Sequence, residues 1–392
     1  MSEKVKYITS IVGIQILSAL VSFSAVLFLT NKYGLSFLGE FSFDMSIAFI
    51  SFSLISLGIP ELAQKKYSIN HSNELSISAT FYHFIFAFLV VLSLFFFFTY
   101  SYLDCVYLFM YMVLMVFVEK IARFLFQDGK AFSGQLFLSL PTTLFWIIFI
   151  INTTSDISIF YFFFLSLIIT VLIMLLLIPR RIFSLKLKRY NFFKGSWFTV
   201  FSLRLIAMII DWFPVLFFGY YELYLLSGLY AITAKFFMPV VLISNGLVNF
   251  FLKETFANRF TLRNVGANVL SYYVVLILFA CLFVLLFLLN PFNFLETFDL
   301  SLVAIQTFLL ALIYRISYLM YIYLSQISLK WFTEFNIKLS LITFVFFPLF
   351  VSAIIFLLVL YKYDFADYLF VFPLSMLSIF LLAFYLNNKI TK

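Results

Sequence analysis

From Ile157 to Pro179 the chain carries no charged side chain, and eleven other stretches are almost as bare. About 20 helical residues cross the roughly 30 Å of bilayer hydrocarbon. Spans are therefore predicted over 8–30, 41–59, 79–101, 105–125, 133–151, 158–178, 196–218, 224–250, 268–289, 299–325, 339–360 and 367–386. A water-soluble surface needs more charge than 11% of residues supplies, and 65% of this chain is hydrophobic, with 60 Phe. These features predict an all-α polytopic membrane protein with twelve transmembrane helices. The opening MSEKVKY leads directly into a run of spanning length, without a short h-region or small-residue cleavage site. That pattern predicts an uncleaved first helix.

The basic residues test the orientation. With the N-terminus in the cytoplasm, all but five of the 25 Lys and Arg fall on the inner side. Lys32 and Lys362 lie outside, and Arg204, Lys235 and Arg315 lie within the membrane. The outer loops are acidic, carrying Glu40, Asp104, Asp156, Glu222, Glu296, Asp299, Asp364 and Asp367. The net charge of +8 thus reports topology, and no nucleic-acid partner is implied. An even number of spans leaves both termini in the cytoplasm.

The longest connection, PRRIFSLKLKRYNFFKG at 179–195, is basic and divides the spans six and six. It separates an N-terminal half (1–182) from a C-terminal half (196–392), with 183–195 as linker. Transporters often carry internal repeats. An offset of 189 lays Leu27-Phe28 on Leu216-Phe217 and Gly39-Glu40-Phe41 on Gly228-Leu229-Tyr230. It also lays Gln15 over Arg204 and Ser22 over Asp211. Chance likeness in a chain rich in Phe and Leu is the competing explanation.

Charges inside a membrane cost about 2.5–3.5 kcal/mol each on insertion scales and mark cavities or partners. Arg204 and Asp211 are seven apart, almost two turns, and so leave one helix face. One reading makes Arg204 an anion site and Asp211 a proton or cation site for ion coupling. The other has both pairing with neighbouring spans to fix packing. Lys235 lies mid-span, too deep for easy snorkelling, which favours a water-filled cavity. Arg315 is a third candidate, since its guanidinium can fork onto phosphate oxygens. Tyr314, Tyr318 and Tyr321 share its helix at helical spacing as candidate sugar contacts, although interfacial tyrosines explain them more simply.

Glu119 and Arg123 form an i,i+4 pair, with Lys120 between, that reads as an interfacial anchor. Asp44 is expected to be wet near the outer end of its span, and Gln15 to hydrogen-bond across the bundle. Pro141, Pro214, Pro239, Pro348 and Pro373 fall within spans. Cys105 and Cys281 lack metal-ligand spacing, and His71 and His83 are isolated. There is no P-loop, hydrolase elbow or pair of carboxylates at catalytic spacing, so no cofactor or enzymatic chemistry is implied.

Two passages carry a family likeness: NKYGLSFLGEFSFDMSIAFISFSLISLGIPELAQKK (31–66) and IIDWFPVLFFGYYELYLLSGLYAITAKFFMPVVLI (209–243). The second contains Asp211, Gly228, Tyr230, Ala231, Ala234 and Lys235 in the family's order. With the six-and-six layout, the chain resembles the bacterial O-antigen and polysaccharide repeat-unit flippases of the multidrug/oligosaccharidyl-lipid/polysaccharide exporter superfamily. It departs from them at Lys32-Tyr33.

The resemblance implies transfer of an undecaprenyl-pyrophosphate-linked oligosaccharide from the cytoplasmic to the outer leaflet of the cell inner membrane. Arg204, Lys235 and Arg315 would receive the pyrophosphate, and the two halves would rock to give alternating access. Membrane lipid and other polysaccharide-assembly proteins are the partners it suggests. The rival functions are an O-antigen polymerase, an O-acyltransferase, and a drug/cation antiporter of the same superfamily. Short outer loops nearly free of arginine weigh against the polymerase, and His83 without an obvious partner against the acyltransferase. The excess of embedded cations over anions weighs against the antiporter.

Overall fold

The computed structural model describes residues 3–56, 85, 87–95, 100–127, 130–152, 158–178, 197–238, 274, 278 and 309–321. The expected linker 183–195 lies outside the described residues, as do the spans 339–360 and 367–386. His71, His83, Cys281, Pro239, Pro348 and Pro373 also lie outside them.

The described residues fold into α-helices and their turns. In chain order they form α1 (Glu3–Tyr33), α2 (Leu35–Ser56), α3 (Tyr102–Gln127), α4 (Ala131–Ile151), α5 (Ile159–Leu177), α6 (Trp197–Tyr220) and α7 (Tyr224–Phe236). A further helix, α8, runs over Leu309–Tyr321. Among the described residues five helices, at Gly13–Tyr33, Leu35–Ser56, Tyr102–Arg123, Phe132–Ile151 and Ile159–Leu177, are long and apolar enough to cross a membrane.

Local chemistry sets several helix ends. One residue, Gly34, joins α1 to α2 at φ +86°, a left-handed conformation that glycine adopts at no steric cost. Ser101 opens α3 by a reciprocal cap. Its Oγ accepts from the Asp104 N–H at 3.2 Å and donates to the Asp104 carboxylate at 2.7 Å. The Ser158 hydroxyl caps α5 by accepting from the Phe160 N–H at 3.2 Å.

The chain divides into two compact units. The first holds Met1–Ala25 and Asp44–Leu205, the second Val26–Phe43 and Ile206–Lys392. In the first unit α3, α4 and α5 pack on one another around aromatic rings. Phe145 stacks on Phe163 at 4.0 Å, and Phe49 meets the same Phe163 edge-on at 5.9 Å. Some polar side chains in this apolar interior are paired. Thr143 donates to Ser18 at 3.1 Å and Gln135 to Ser139 at 3.0 Å. Gln15, expected to bond across the bundle, is buried, and its Oε1 has no hydrogen-bond partner.

The second unit is organised by backbone approach between α2 and α7. A Cβ on Gly39 would overlap the Tyr224 carbonyl, and one on Gly228 would overlap the Leu35 carbonyl. Ser227 fastens the contact by donating to the carbonyls of Gly39 at 3.1 Å and Val215 at 3.2 Å. Small residues let helix backbones touch in this way inside a membrane.

The two contacts are reciprocal under the predicted offset. Leu35 plus 189 is Tyr224, and Gly39 plus 189 is Gly228, so each glycine meets its partner's equivalent environment. Contacts of the kind i-to-j and j-to-i are the mark of a two-fold relation.

Candidate functional site

Two charge clusters bring the predicted site residues together, one in each unit. In the first, Arg204 of α6 forks onto Glu119 of α3, with N–O distances of 3.0 and 2.8 Å. Arg123 adds bonds to Glu119 Oε1 at 3.1 and 2.9 Å through Nε and an Nη. The Arg204 guanidinium also lies over the Phe52 ring, 5.3 Å from its centroid. Lys120 is in electrostatic range of the same carboxylate.

Glu119 therefore differs from the expected interfacial anchor. It is only 5% exposed and joins two helices, because a buried carboxylate needs charged partners on every open side. The i,i+4 spacing to Arg123 was visible in sequence. The partner Arg204, 85 residues away, was not.

In the second cluster, Arg315 of α8 donates to the Asp211 carboxylate of α6. Arg315 is buried and its Nε has no hydrogen-bond partner. Its guanidinium lies 5.0 Å from the Tyr318 ring centroid. Lys235, on α7, is in electrostatic range of both Asp211 and Arg315. Arg204 and Asp211 do follow one another at seven-residue spacing on α6, yet they serve different partners.

The tyrosines have a structural task that sequence reasoning missed. In a helix the Ile210 carbonyl would accept from residue 214, but Pro214 has no N–H to give. The Tyr314 hydroxyl donates to that carbonyl instead. Tyr318 donates to the Ala207 carbonyl at 3.1 Å. The hydroxyls expected as candidate sugar contacts are committed to the α6 backbone at these two positions. Tyr321 is likewise buried. The signal that could have revealed this is a mid-span proline, whose orphaned carbonyl must be satisfied inside a membrane.

Asp44 also has an unforeseen partner, accepting from the Tyr100 hydroxyl at 2.7 Å. Among the described residues no group of three or more His, Cys, Asp or Glu could hold a metal ion.

No family model matches the chain, and no curated protein matches it. Its fold does match solved structures. The MATE multidrug transporter DinF-BH superposes with a TM-score of 0.63 at 15% identity, covering 98% of this chain and 95% of that one. A MATE protein in the bent conformation gives 0.57 at 12%, over 98% and 93%. The Vibrio cholerae MATE transporter VcmN gives 0.55 at 11%, also over 98% and 93%. The chain is thus a multi-pass, all-α membrane protein with twelve helices in two halves of six, the fold of the MATE transporters. Two of these fold relatives are named as transporters.

Proposed function

We propose that this protein moves an undecaprenyl-pyrophosphate-linked oligosaccharide, an O-antigen or capsule repeat unit, across the cell inner membrane from the cytoplasmic to the outer leaflet. The carrying observation is the second cluster, where Arg315 is bonded to Asp211 yet keeps a buried Nε without a hydrogen-bond partner. A buried guanidinium nitrogen without a hydrogen-bond partner is costly, and a pyrophosphate arriving there would lower that cost. Charge-assisted bonds to phosphate oxygens are also among the strongest hydrogen bonds available.

Substrate phosphate would compete with Asp211 for Arg315. A displaced Asp211 is then free to take a proton, which makes it the candidate coupling group. Arg204, paired with Glu119, would act in the same way in the first unit. The second reading is an organic-cation antiporter, favoured by the likeness to solved multidrug transporters.

Deleting the gene and locating lipid-linked oligosaccharide by leaflet tests the proposal. Flippase loss strands complete single units in the cytoplasmic leaflet. Single units displayed on the outer face would instead indicate a polymerase. An unchanged glycan together with lost efflux of a fluorescent organic cation would indicate the antiporter.

A further inference from the structure

A cavity of about 450 Å3 lies in the first unit, lined by none of the residues of the two charge clusters. Asp44 of α2, Tyr100, Ser101, Asp104, Tyr107 and Phe160 line it. The openings of α3 and α5 meet here, ends that the distribution of basic residues assigns to the outer side. The volume falls in the range of small-molecule sites.

Three features restrict the occupant. First, none of the described lining residues is cationic, and two are carboxylates. An anionic group such as pyrophosphate or a uronic acid is therefore repelled. Second, each carboxylate is already engaged by a neutral hydroxyl, Asp44 by Tyr100 and Asp104 by Ser101, both at 2.7 Å. A carboxylate has about four acceptor sites, so the Ser101 hydroxyl does not exhaust Asp104. The site is chemically matched to further O–H donors.

Third, the aromatic walls are held from behind. Tyr100 meets Phe160 edge-on at 5.3 Å. Tyr107 stacks on Phe164 at 5.9 Å and meets Tyr161 edge-on at 5.3 Å. Rigid rings lose little freedom when a flat apolar face is laid on them.

We propose that this cavity is a sugar-binding subsite that accepts neutral or amino-bearing sugar rings and rejects uronic acids. Vicinal hydroxyls would donate to Asp44 and Asp104 while a ring face rests on Tyr107 or Tyr100. The proposal names the glycan end of the passenger and so rests on the proposed function. It also predicts which repeat units the protein handles poorly: those with an acidic sugar at this position.

The test uses the purified full-length protein in lipid nanodiscs, titrated calorimetrically with glucose, glucosamine, glucuronate and tetraphenylphosphonium. Glucose and glucosamine are expected to bind in the millimolar range, glucuronate at least about tenfold more weakly. Asp104→Asn and Tyr107→Ala should each weaken sugar binding about tenfold, the scale of one lost charged hydrogen bond or stacking contact. Asp44→Asn serves if Tyr107→Ala does not fold. Glucuronate binding as tightly as glucose, no heat from any sugar, or sugar binding unchanged in the variants would overturn the proposal. So would tetraphenylphosphonium binding more tightly than the sugars and being lost in the same variants, which would mark an organic-cation site. The same titration on Lys235→Ala should leave sugar binding intact. Failure of pyrophosphate transport and failure of this subsite are thereby read separately.

Discussion

Pro214 and Tyr314 act as one unit, although 100 residues of chain separate them. The proline removes a helix bond and the tyrosine hydroxyl replaces it. Tyr314→Phe should therefore cost about 1–3 kcal/mol, the price of a buried carbonyl left without a partner. In a Pro214→Ala background the restored N–H fills Ile210, and the same change should cost less than about 0.5 kcal/mol. Thermal unfolding of the four proteins in detergent measures this coupling, and equal costs in both backgrounds would refute it.

The Arg315–Asp211 pair separates folding from function by the same logic. Arg315→Ala removes the hydrogen-bonded partner of Asp211 and should destabilise by about 3–5 kcal/mol. Arg315→Gln combined with Asp211→Asn removes both charges and should recover most of that stability. Transport should remain lost, because no guanidinium is left for the phosphate. Normal surface glycan in the double variant would reject Arg315 as a substrate ligand.

At the scale of elements, the approach of α2 to α7 depends on having no side chain at two positions. Gly39→Ala and Gly228→Ala each drive a methyl group into a backbone carbonyl and should cost about 1–3 kcal/mol or more. Gly13→Ala is the control, since nothing lies within 4 Å of the added carbon. It should be neutral or stabilise the α1 helix by up to about 1 kcal/mol. Unfolding temperatures of the three variants decide this, and three equal values would exclude the close approach. The glycines were legible in sequence only as a weak repeat at an offset of 189. At that offset Gly39 faces Tyr224 and Gly228 faces Leu35, so the contact is reciprocal.

For the whole molecule, the charge asymmetry predicts both termini in the cytoplasm. Lys32 and Lys130 are both exposed, and the prediction puts them on opposite sides. In a cysteine-free background, Lys32→Cys should react with a membrane-impermeant maleimide in intact cells. Lys130→Cys should react only after the membrane is opened. The reverse pattern would invert the topology.

The sequence by itself determined the class of fold. Length and hydrophobicity of a span are local properties, and α3, α4 and α5 begin and end within a few residues of their predicted spans. It also marked Arg204, Asp211, Lys235 and Arg315 as charges within membrane spans, to be explained. Only the tertiary structure decided how those charges are matched: Glu119 to Arg204, Asp211 to Arg315, and the Tyr314 hydroxyl to the carbonyl freed by Pro214. A helix period says which way a side chain leaves its own axis. It carries no information about which distant helix stands opposite, and in an apolar interior that neighbour determines whether a charge or a carbonyl is satisfied.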